Sequence, residues 1–322
     1  MRLFLAPMEG VVDHHVRDLL TTIGGIDVCV TEFVRVTQGQ RLPERVFKRL
    51  CPELDHHSKT QAGTPVRVQL LGGEPESLAV NARTVAHIGA SAIDLNFGCP
   101  AKTVNKNDGG AKLLQQPHRV YDIVKAVRDA VPSHIPVSAK IRLGFEDRSR
   151  YRENALAVCE AGATELAVHA RSKADGYNPP AYWEYLGFIR DAITIPVIAN
   201  GEIWSPEDWQ RCKQISGCED LMIGRGLLAR PDLALAIKAQ GANYTAMPWH
   251  QMLDHLYRYY HITAAVYPKK HLGNRIKQWL MYLRLHYSEA ESLFDAIKRE
   301  RQAERFEQIF HEVGAGLNNS EL

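Results

Sequence analysis

The sequence lacks the features that mark several common classes of protein. Its six cysteines are scattered, with no Cys-x-x-Cys pair and no Cys/His cluster at zinc spacing, a pattern typical of reduced thiols rather than of a disulfide framework or a metal site. No segment approaches the roughly 18 to 20 apolar residues of a membrane span, and the N-terminal apolar segment is too short for a signal peptide. We therefore expect a cytoplasmic protein with no metal and no membrane partner, and we expect it to be a monomer.

Charge of one sign is also scarce. The net charge is +2 over 322 residues, which is too small to mark the whole molecule as a binder of polyanions, so such a partner would need a local basic surface. The remaining composition, 45% hydrophobic and 24% charged, is ordinary for a globular protein. The length allows one large domain and a small one.

Short apolar runs alternate with longer amphipathic segments along the first three quarters of the chain. Most runs are nearly continuous in Val, Ile, Leu and Ala, as expected of parallel strands buried on both faces, and residues 76–89 and 119–130 have the apolar spacing of helices. Eight such units over about 240 residues predict a (β/α)8 TIM barrel, an α/β fold. A doubly wound open sheet is the competing fold, but eight similar units in series favour closure. The predicted strands are residues 3–9, 28–34, 66–72, 92–99, 137–144, 165–171, 196–203 and 221–226.

The alternation stops near Gln240. Residues 241–248 have the composition of a linker, and from Trp249 to about Val313 the pattern is helical throughout. We predict a catalytic barrel domain over residues 1–241, a small all-helical domain over residues 248–313, and a frayed tail over residues 314–322.

Polar residues stand at the C-terminal ends of seven predicted strands, where the active sites of barrel enzymes collect. One buried Gln or His in a barrel is often only a packing residue. Seven polar strand ends together indicate a large polar ligand across the barrel mouth. They are Pro7-Met8-Glu9, Gln69, Asn96-Phe97-Gly98-Cys99-Pro100, Lys140-Ile141-Arg142, His169-Ala170-Arg171, Asn200-Gly201-Glu202 and Gly224-Arg225-Gly226.

The last two strands indicate the kind of ligand. Barrel enzymes often hold a phosphate in the loops after these strands, through backbone N–H groups that glycine leaves accessible, and Arg225 can pair with it. The alternative is a pair of ordinary tight turns. A phosphate at this place suits flavin mononucleotide (FMN), whose ring would reach Gln69 and Lys140 at the barrel axis. A lysine there would stabilise the anion formed on flavin reduction.

Cys99 lies between glycine and proline at a strand end, on a stiff and exposed loop. A cysteine with an ordinary pKa of about 8.5 is mostly protonated at neutral pH, so it can donate a proton. The alternative, a buried structural thiol, suits Cys29, Cys159 and Cys212 better. Cys51, which also precedes a proline, is predicted to be structural.

These motifs resemble those of the dihydrouridine synthases over essentially the whole chain. The Thr31-Glu32-Phe33-Val34-Arg35-Val36 loop and the Arg275-Ile276-Lys277-Gln278-Trp279-Leu280 stretch are similar to the bacterial subfamily C, which modifies uridine 16 of tRNA. No catalytic position departs from the family pattern. The other matching motifs are Ala6-Pro7-Met8-Glu9-Gly10, Asp94-Leu95-Asn96-Phe97-Gly98-Cys99-Pro100 followed by Lys102, Val104 and Gly109-Gly110-Ala111, Lys140-x-Arg142, His169-x-Arg171, Asn200-Gly201-Glu202 and Gly224-Arg225-Gly226.

The resemblance implies a flavin-dependent reduction of uridine in tRNA. NADPH would reduce FMN, the flavin N5 would pass a hydride to uracil C6, and Cys99 would protonate C5 to give 5,6-dihydrouridine. Asn96, Arg171 and Tyr177 would face a uridine flipped out of its stack, since a flavin cannot reach a stacked pyrimidine. The residues implied to hold FMN are Pro7, Met8, Glu9, Gln69, Lys140, His169, Asn200, Gly201, Glu202, Gly224 and Arg225.

Residues 256–288 contain no Asp or Glu but six cations and seven Tyr or Trp residues. Cations for phosphates and aromatic rings for stacking are what folded RNA requires, although a solvated helix face over an aromatic core would look similar. We predict that this domain and Arg35 bind tRNA, and that alanine at Arg275 and Lys277 weakens tRNA binding while sparing the flavin site. The predicted tRNA contacts outside the barrel mouth are Arg35, Arg275, Lys277, Tyr282 and, more distantly, Lys298.

Two other functions fit part of the sequence. A flavoenzyme resembling dihydroorotate dehydrogenase would share the barrel, the flavin and a catalytic Cys or Ser, but it would not need the acid-free helical domain. An RNA-binding protein that keeps a barrel without catalysis is disfavoured, because Cys99, Lys140 and the phosphate loops are all intact.

Overall fold

A computed structural model of the chain describes residues 1–239 and 244–318. Eight parallel strands pair in chain order, and the first also pairs with the last, Leu3 opposite Leu221, to close a barrel. This confirms the predicted TIM barrel. Seven strands are shorter than their predicted runs, mainly because the runs included loop residues that follow the strands, whereas the second strand ends one residue later than predicted. The strands are β1 Leu3–Leu5, β2 Val28–Arg35, β3 Val66–Leu71, β4 Ile93–Phe97, β5 Val137–Arg142, β6 Leu166–His169, β7 Val197–Asn200 and β8 Asp220–Ile223.

Helices cover the outside of the barrel. The two that were predicted in detail are present but start earlier, because Pro75 and Pro117 occupy their first turns, where the missing N–H of proline is tolerated. The barrel helices are α1 His14–Ile23, α2 Glu44–Leu50, α3 Pro75–His87, α4 Lys102–Lys106, α5 Pro117–Ala130, α6 Tyr151–Glu160, α7 Glu184–Ala192, α8 Pro206–Ser216, α9 Arg225–Ala229 and α10 Leu233–Lys238.

The N-terminal end of the barrel is filled by a charged and aromatic layer. The guanidinium groups of Arg2 and Arg67 lie over the ring of Phe4, each 5.1 Å from its centroid. Both arginines also pair with the buried carboxylate of Glu165. Because this layer fills the N-terminal end, the space for a ligand lies at the opposite end, where the strands finish.

The C-terminal region is all helical, as predicted. It consists of α11 Trp249–Val266, α12 Asn274–Leu283, α13 Glu289–Ile297 and α14 Ala303–Asn318. The predicted start of a frayed tail at Gly314 is wrong, since α14 continues to Asn318. A glycine inside a helix costs only about 1 kcal/mol, which does not end the helix here. Residues 319–322 of the predicted tail lie outside the described residues.

The segment predicted as a linker is attached to the barrel where the structure describes it. The Tyr244 hydroxyl and the Met247 N–H both donate to the buried Asp232 carboxylate, each over 2.9 Å. Residues 241–243 lie outside the described residues. In residues 1–239 and 244–318 there is no helix with both the length and the apolar character needed to cross a membrane.

The helical domain packs on two parts of the barrel. The Trp279 indole N–H donates to the Leu228 carbonyl in α9 over 3.0 Å. The Arg275 guanidinium donates to the carbonyls of Gly10 and Val11, over 2.7 and 2.9 Å, and pairs with Asp13 at 2.6 Å. These last three residues belong to the loop between β1 and α1, residues 6–13, so the helical domain holds a loop of the barrel mouth.

Candidate active site at the barrel mouth

A cavity of about 550 Å³ opens at the C-terminal ends of the strands, within the size range of small-molecule and cofactor sites. It is lined by loops that follow the strands and by Tyr282 of α12. Every residue predicted to hold a cofactor lines this cavity, as do Cys99, Asn96, Tyr177 and Tyr282 from the other predictions. The predicted cofactor residues found here are Pro7, Met8, Glu9, Gln69, Lys140, His169, Asn200, Gly201, Glu202, Gly224 and Arg225.

Lys140 brings an unpartnered cation to the cavity. It lies on β5, and its ammonium makes no hydrogen bond or ion pair within the described part of the chain. Burial, and then the nearby positive charge of Arg142, lower the pKa of Lys140 to about 8. An ammonium in this position gains most from a ligand that brings negative charge or acceptor atoms.

The loops after β7 and β8 form a corner suited to an anion. Gly201 has φ +119°, and a Cβ there would lie 2.9 Å from Cδ2 of His169, so only glycine fits. Among the described residues, no acceptor is found for the backbone N–H groups of Gly201, Glu202 or Gly224. Arg225 lies beside them, with its guanidinium 5.1 Å from the ring centroids of both Tyr177 and Trp204. Free N–H groups and a guanidinium together are a typical phosphate site.

His169 is a neutral imidazole wall of this corner. It is buried, and burial together with the cations around it, Arg142 first, holds its pKa well below the usual range. The ring therefore stays uncharged at neutral pH and can both donate and accept a hydrogen bond. A neutral ring also leaves the positive charge at the site to Lys140, Arg142 and Arg225.

Cys99 is the single cysteine of the six that lines the cavity. Its loop, residues 98–101 and here called the Cys99 loop, is held by Asn96, whose Oδ1 accepts the N–H groups of Gly98 and Cys99, each over 2.9 Å. Burial raises the pKa of the Cys99 thiol, so the thiol is protonated at neutral pH. The structure thus presents a proton donor on the cavity wall.

Glu32, Phe33, Arg142 and Trp204 line the cavity too, although no specific ligand contact was predicted for them. A register shift between Val30 and Phe33 places one extra residue in β2, and such a bulge redirects the side chains around it. Arg142 braces the site by donating to the carbonyls of Gly98, Ser172 and Gly176, over 2.9, 3.0 and 2.9 Å. The spacing Lys140-x-Arg142, with both side chains on one strand face, was the signal for Arg142.

Arg171 does not face the cavity, which contradicts its predicted contact with uridine. Its side chain is fully buried and does not line the cavity. Its guanidinium donates to the carbonyls of Asn178 and Pro180, over 2.7 and 3.2 Å, and pairs with Glu202. Arg171 therefore ties the loop that carries Tyr177 to the end of β7.

The predicted tRNA contacts outside the cavity fall into two kinds. Arg35 is half-buried at the end of β2 with no partner within the described residues, and Lys298 is exposed and pairs with Asp295 at 2.7 Å. Arg275 and Lys277 instead bind groups within the chain. The Arg275 guanidinium pairs with Asp13 in the β1–α1 loop, and the Lys277 ammonium donates to the Glu300 carbonyl over 2.8 Å. Most aromatic rings of the acid-free stretch are core residues: Tyr259, Tyr260, Trp279 and Tyr287 are at most 6% exposed. Tyr282 alone among the predicted contacts on α12 lines the cavity.

Within the described part of the chain, no cluster of three or more His, Cys, Asp or Glu side chains has the arrangement of a metal site. The site instead combines the end of a parallel barrel, free N–H groups beside Arg225 after the last two strands, a central lysine and a protonated thiol. This combination is typical of TIM-barrel enzymes.

Comparison with known proteins identifies the family. The fold is similar to that of an old yellow enzyme homologue from Zymomonas mobilis, with a TM-score of 0.52 and 13% identity over 76% of this chain and 90% of that one. The family model described as Dihydrouridine synthase (Dus) matches residues 4–314. The chain belongs to the dihydrouridine synthase family, as its motifs indicated, and it is an oxidoreductase of that family.

Full-length relatives support the same assignment. A protein of Shewanella oneidensis is 51% identical over 318 residues, which cover 99% of this chain and 100% of that protein. A protein of Vibrio cholerae is 51% identical over 321 residues, covering 99% of this chain and 98% of that protein. Both relatives are named tRNA-dihydrouridine(16) synthase.

Proposed function

We propose that this enzyme reduces uridine to 5,6-dihydrouridine in tRNA, at position 16 of the D-loop, with FMN as cofactor and NADPH as reductant. The relatives at 51% identity carry that position in their names. The observation that carries the chemistry is that one cavity holds the protonated thiol of Cys99, the unpartnered ammonium of Lys140 and the phosphate corner at Arg225. A cytoplasmic location and a monomeric state are part of the proposal.

FMN fits the residues that line the cavity. The free N–H groups at Gly201, Glu202 and Gly224, with Arg225, would bind its phosphate. Lys140 would meet the polar edge of the ring and stabilise negative charge there. When bound, FMN supplies the hydride for uracil C6. The remaining proposed contacts, from Pro7, Met8, Glu9, Gln69, His169 and Asn200, come from strand ends around the same cavity.

Cys99 would donate the proton to uracil C5. Burial keeps its thiol protonated at neutral pH, and the hydrogen bonds from the Cys99 loop to Asn96 hold it at the cavity wall. A positioned acid of this kind contributes typically about 10²- to 10⁴-fold to a rate. Asn96 and Tyr177 would contact the flipped uridine, since both line the cavity and Tyr177 is 53% exposed at its mouth.

The tRNA body would lie across the barrel mouth and the helical domain. Arg35 has no partner within the described residues, and the ammonium groups of Lys269 and Lys270 are exposed and equally unpartnered there. Lys298 would extend this surface, and Tyr282 would stack near the entering base. Arg275 and Lys277 would contribute to tRNA binding in two ways. Their charges would attract phosphates, and their bonds to Val11 and Glu300 would hold the shape of the surface. Phosphate contacts of this kind set the register of the RNA without reading its sequence.

The proposed activity is tested directly with purified protein. The bound chromophore, released by heat, should chromatograph as FMN and not as the adenine dinucleotide. With NADPH, the protein should convert one uridine per unmodified tRNA to dihydrouridine, and it should neither reduce orotate nor oxidise dihydroorotate. Turnover of orotate or dihydroorotate without activity on tRNA would assign the cavity to the rival flavoenzyme.

Replacing Arg225 with alanine should weaken FMN binding by about 10- to 100-fold, the equivalent of a lost charge-assisted hydrogen bond. Riboflavin lacks the phosphate, so its affinity should change little in the same variant. Titration of the apoprotein with both ligands, followed by flavin fluorescence, separates the two. An equal loss for riboflavin would mean that Arg225 contacts the ring and that the phosphate binds elsewhere.

FMN affinity should fall as the pH rises from 7 to 9.5. The pKa of Lys140 lies at about 8 in the free protein, so the ammonium is charged below that pH and neutral above it. Because negative charge on the ligand favours the charged ammonium, binding above pH 8 requires proton uptake, and affinity should drop by up to about tenfold per pH unit. In Lys140→Met the affinity should be lower at pH 7 and nearly independent of pH. An unchanged slope in that variant would assign the titration to another group.

A further inference from the structure

We propose that Asp94 is a positioning residue: its buried carboxylate fixes the Cys99 loop through the side-chain amides of Gln69 and Asn96. Asp94 and its neighbour Ser138 do not line the cavity, so any effect on the reaction must pass through other residues. The inference rests on the proposed function in one respect, because it expects the loss of Asp94 to slow the reduction of uridine.

An unbroken chain of hydrogen bonds leads from Asp94 to the backbone of Cys99. The Gln69 Nε2 donates to Asp94 Oδ2 over 2.7 Å, and the Asn96 Nδ2 donates to Gln69 Oε1 over 2.8 Å. Asn96 Oδ1 then accepts the N–H groups of Gly98 and Cys99, each over 2.9 Å. Asp94, Gln69 and Asn96 are all buried, at 2%, 0% and 9% exposed, so each of these links joins groups with little access to solvent.

The direction of every bond in this chain follows from its two ends. Backbone N–H groups can only donate, so Asn96 must turn its oxygen to the Cys99 loop and its nitrogen to Gln69. Gln69 must therefore present its oxygen to Asn96 and its nitrogen to Asp94. Only an acceptor at position 94 satisfies that nitrogen. If Gln69 were turned round, two N–H donors would face each other within a buried layer, which costs about 1–3 kcal/mol for each unsatisfied group.

Asp94 is in turn held by Ser138 on the neighbouring strand β5. The Ser138 hydroxyl donates to Asp94 Oδ1 over 2.6 Å and accepts a hydrogen bond from Arg67 Nη1 over 3.2 Å. No cation makes a hydrogen bond or ion pair with Asp94 within the described residues. Burial raises the pKa of Asp94, and the nearby charges of Arg67 and Lys140 oppose that shift without contacting the carboxyl group. Because its direct partners are Ser138 and Gln69, the geometry points to orientation of Gln69 and Asn96 as what this carboxyl group supplies.

Three variants test the proposal in the FMN-loaded enzyme. Asp94→Ala removes the acceptor. Asp94→Asn keeps one, because its amide oxygen can accept from Gln69 while its nitrogen donates to Ser138, whose hydroxyl can then turn to the Ile93 carbonyl 3.4 Å away. Ser138→Ala removes only the hydrogen bond from the Ser138 hydroxyl to Asp94. For each, we would measure the reduction of bound FMN by NADPH, the reoxidation of the reduced enzyme by unmodified tRNA, and the rate of Cys99 alkylation by iodoacetamide.

The proposal predicts a selective defect. In Asp94→Ala the tRNA-dependent step should slow by about 10- to 100-fold, the size that a displacement of about 1 Å produces, while reduction by NADPH, which is affected only through the proposed contact of Gln69 with FMN, should slow much less. The rate of Cys99 alkylation by iodoacetamide should also differ from that of the parent in the same variant. Asp94→Asn should restore both readouts to near the parent, and Ser138→Ala should show a smaller defect of the same kind.

Several results would overturn the proposal. Equal slowing of both flavin steps in Asp94→Ala, with loss of FMN, would show a general structural role. Parent-like rates in Asp94→Ala, or an equal defect in Asp94→Asn, would exclude orientation by an acceptor. If Asp94→Ala does not fold, unchanged rates and alkylation in Ser138→Ala would overturn it as well. A parent enzyme that tRNA cannot reoxidise would refute the proposed function instead, and Cys99 alkylation would still test the positioning of the loop.

Discussion

Replacing Cys99 with alanine is expected to slow uridine reduction by about 10²- to 10⁴-fold. Cys99 is the cysteine on the cavity wall, and its thiol is protonated because burial raises its pKa. The loss removes the proton donor for C5 but no proposed contact with FMN, so flavin content and reduction by NADPH should stay near the parent values. Stopped-flow spectroscopy of the two flavin steps, with unmodified tRNA as oxidant, measures both in one preparation.

Cys51→Ala is the matched control. Cys51 also precedes a proline, but its side chain is fully buried away from the cavity, so its replacement should leave both flavin steps near normal. Similar losses in the two variants would point to a shared effect on folding. Full activity in Cys99→Ala would exclude the thiol as the proton donor.

Replacing Arg275 with alanine should destabilise the contact between the two domains by about 2–3 kcal/mol. Breaking one side of a buried ion pair costs about 3–5 kcal/mol, and we reduce that value because the Arg275 and Asp13 side chains are 16% and 13% exposed. The free energy of unfolding, measured by denaturant titration, provides the test. Lys277→Ala is the matched control and should cost less than about 1 kcal/mol, because Lys277 loses a single hydrogen bond to a carbonyl.

The Arg275 variant should also bind FMN more weakly. Arg275 and Gln278 both donate to the Gly10 carbonyl, over 2.7 and 2.9 Å, and Gly10 adjoins Glu9 on the cavity wall. The sequence alone predicts that alanine at Arg275 and Lys277 spares the flavin site, and the structure changes that expectation for Arg275. A variant with parent-like stability and FMN affinity that loses only tRNA affinity would mean that the guanidinium serves the RNA alone.

The fold and the composition of the cavity could be predicted from the sequence for one physical reason. In a closed parallel barrel all strands finish at the same end, so polar residues at strand ends meet whatever their separation in the chain. Lys140, His169 and Gly201 come from β5, β6 and the loop after β7, and the structure brings them to one cavity. Once the barrel is predicted, the meeting of these residues in one cavity follows from it.

Other features depend on packing that no local pattern records. The bulge that brings Glu32 and Phe33 to the cavity arises from pairing between β2 and β3. Arg171 has the strand-end position of a ligand contact, yet its guanidinium satisfies two loop carbonyls and Glu202. In the helical domain, Trp279 and three of the six tyrosines in residues 256–288 fill a core. A sequence without acids predicts a basic surface but does not show which of its rings and cations are exposed.

The central claim is that this enzyme makes the dihydrouridine at position 16, and mapping that nucleotide in cells tests it most directly. We would sequence tRNA for dihydrouridine in a strain that lacks this protein, and in the same strain carrying either the parent or Cys99→Ala. We predict that dihydrouridine disappears at position 16 while other positions keep theirs, and that the parent restores it but the variant does not. Dihydrouridine that persists at position 16 without the protein, or that is lost elsewhere instead, would contradict the account.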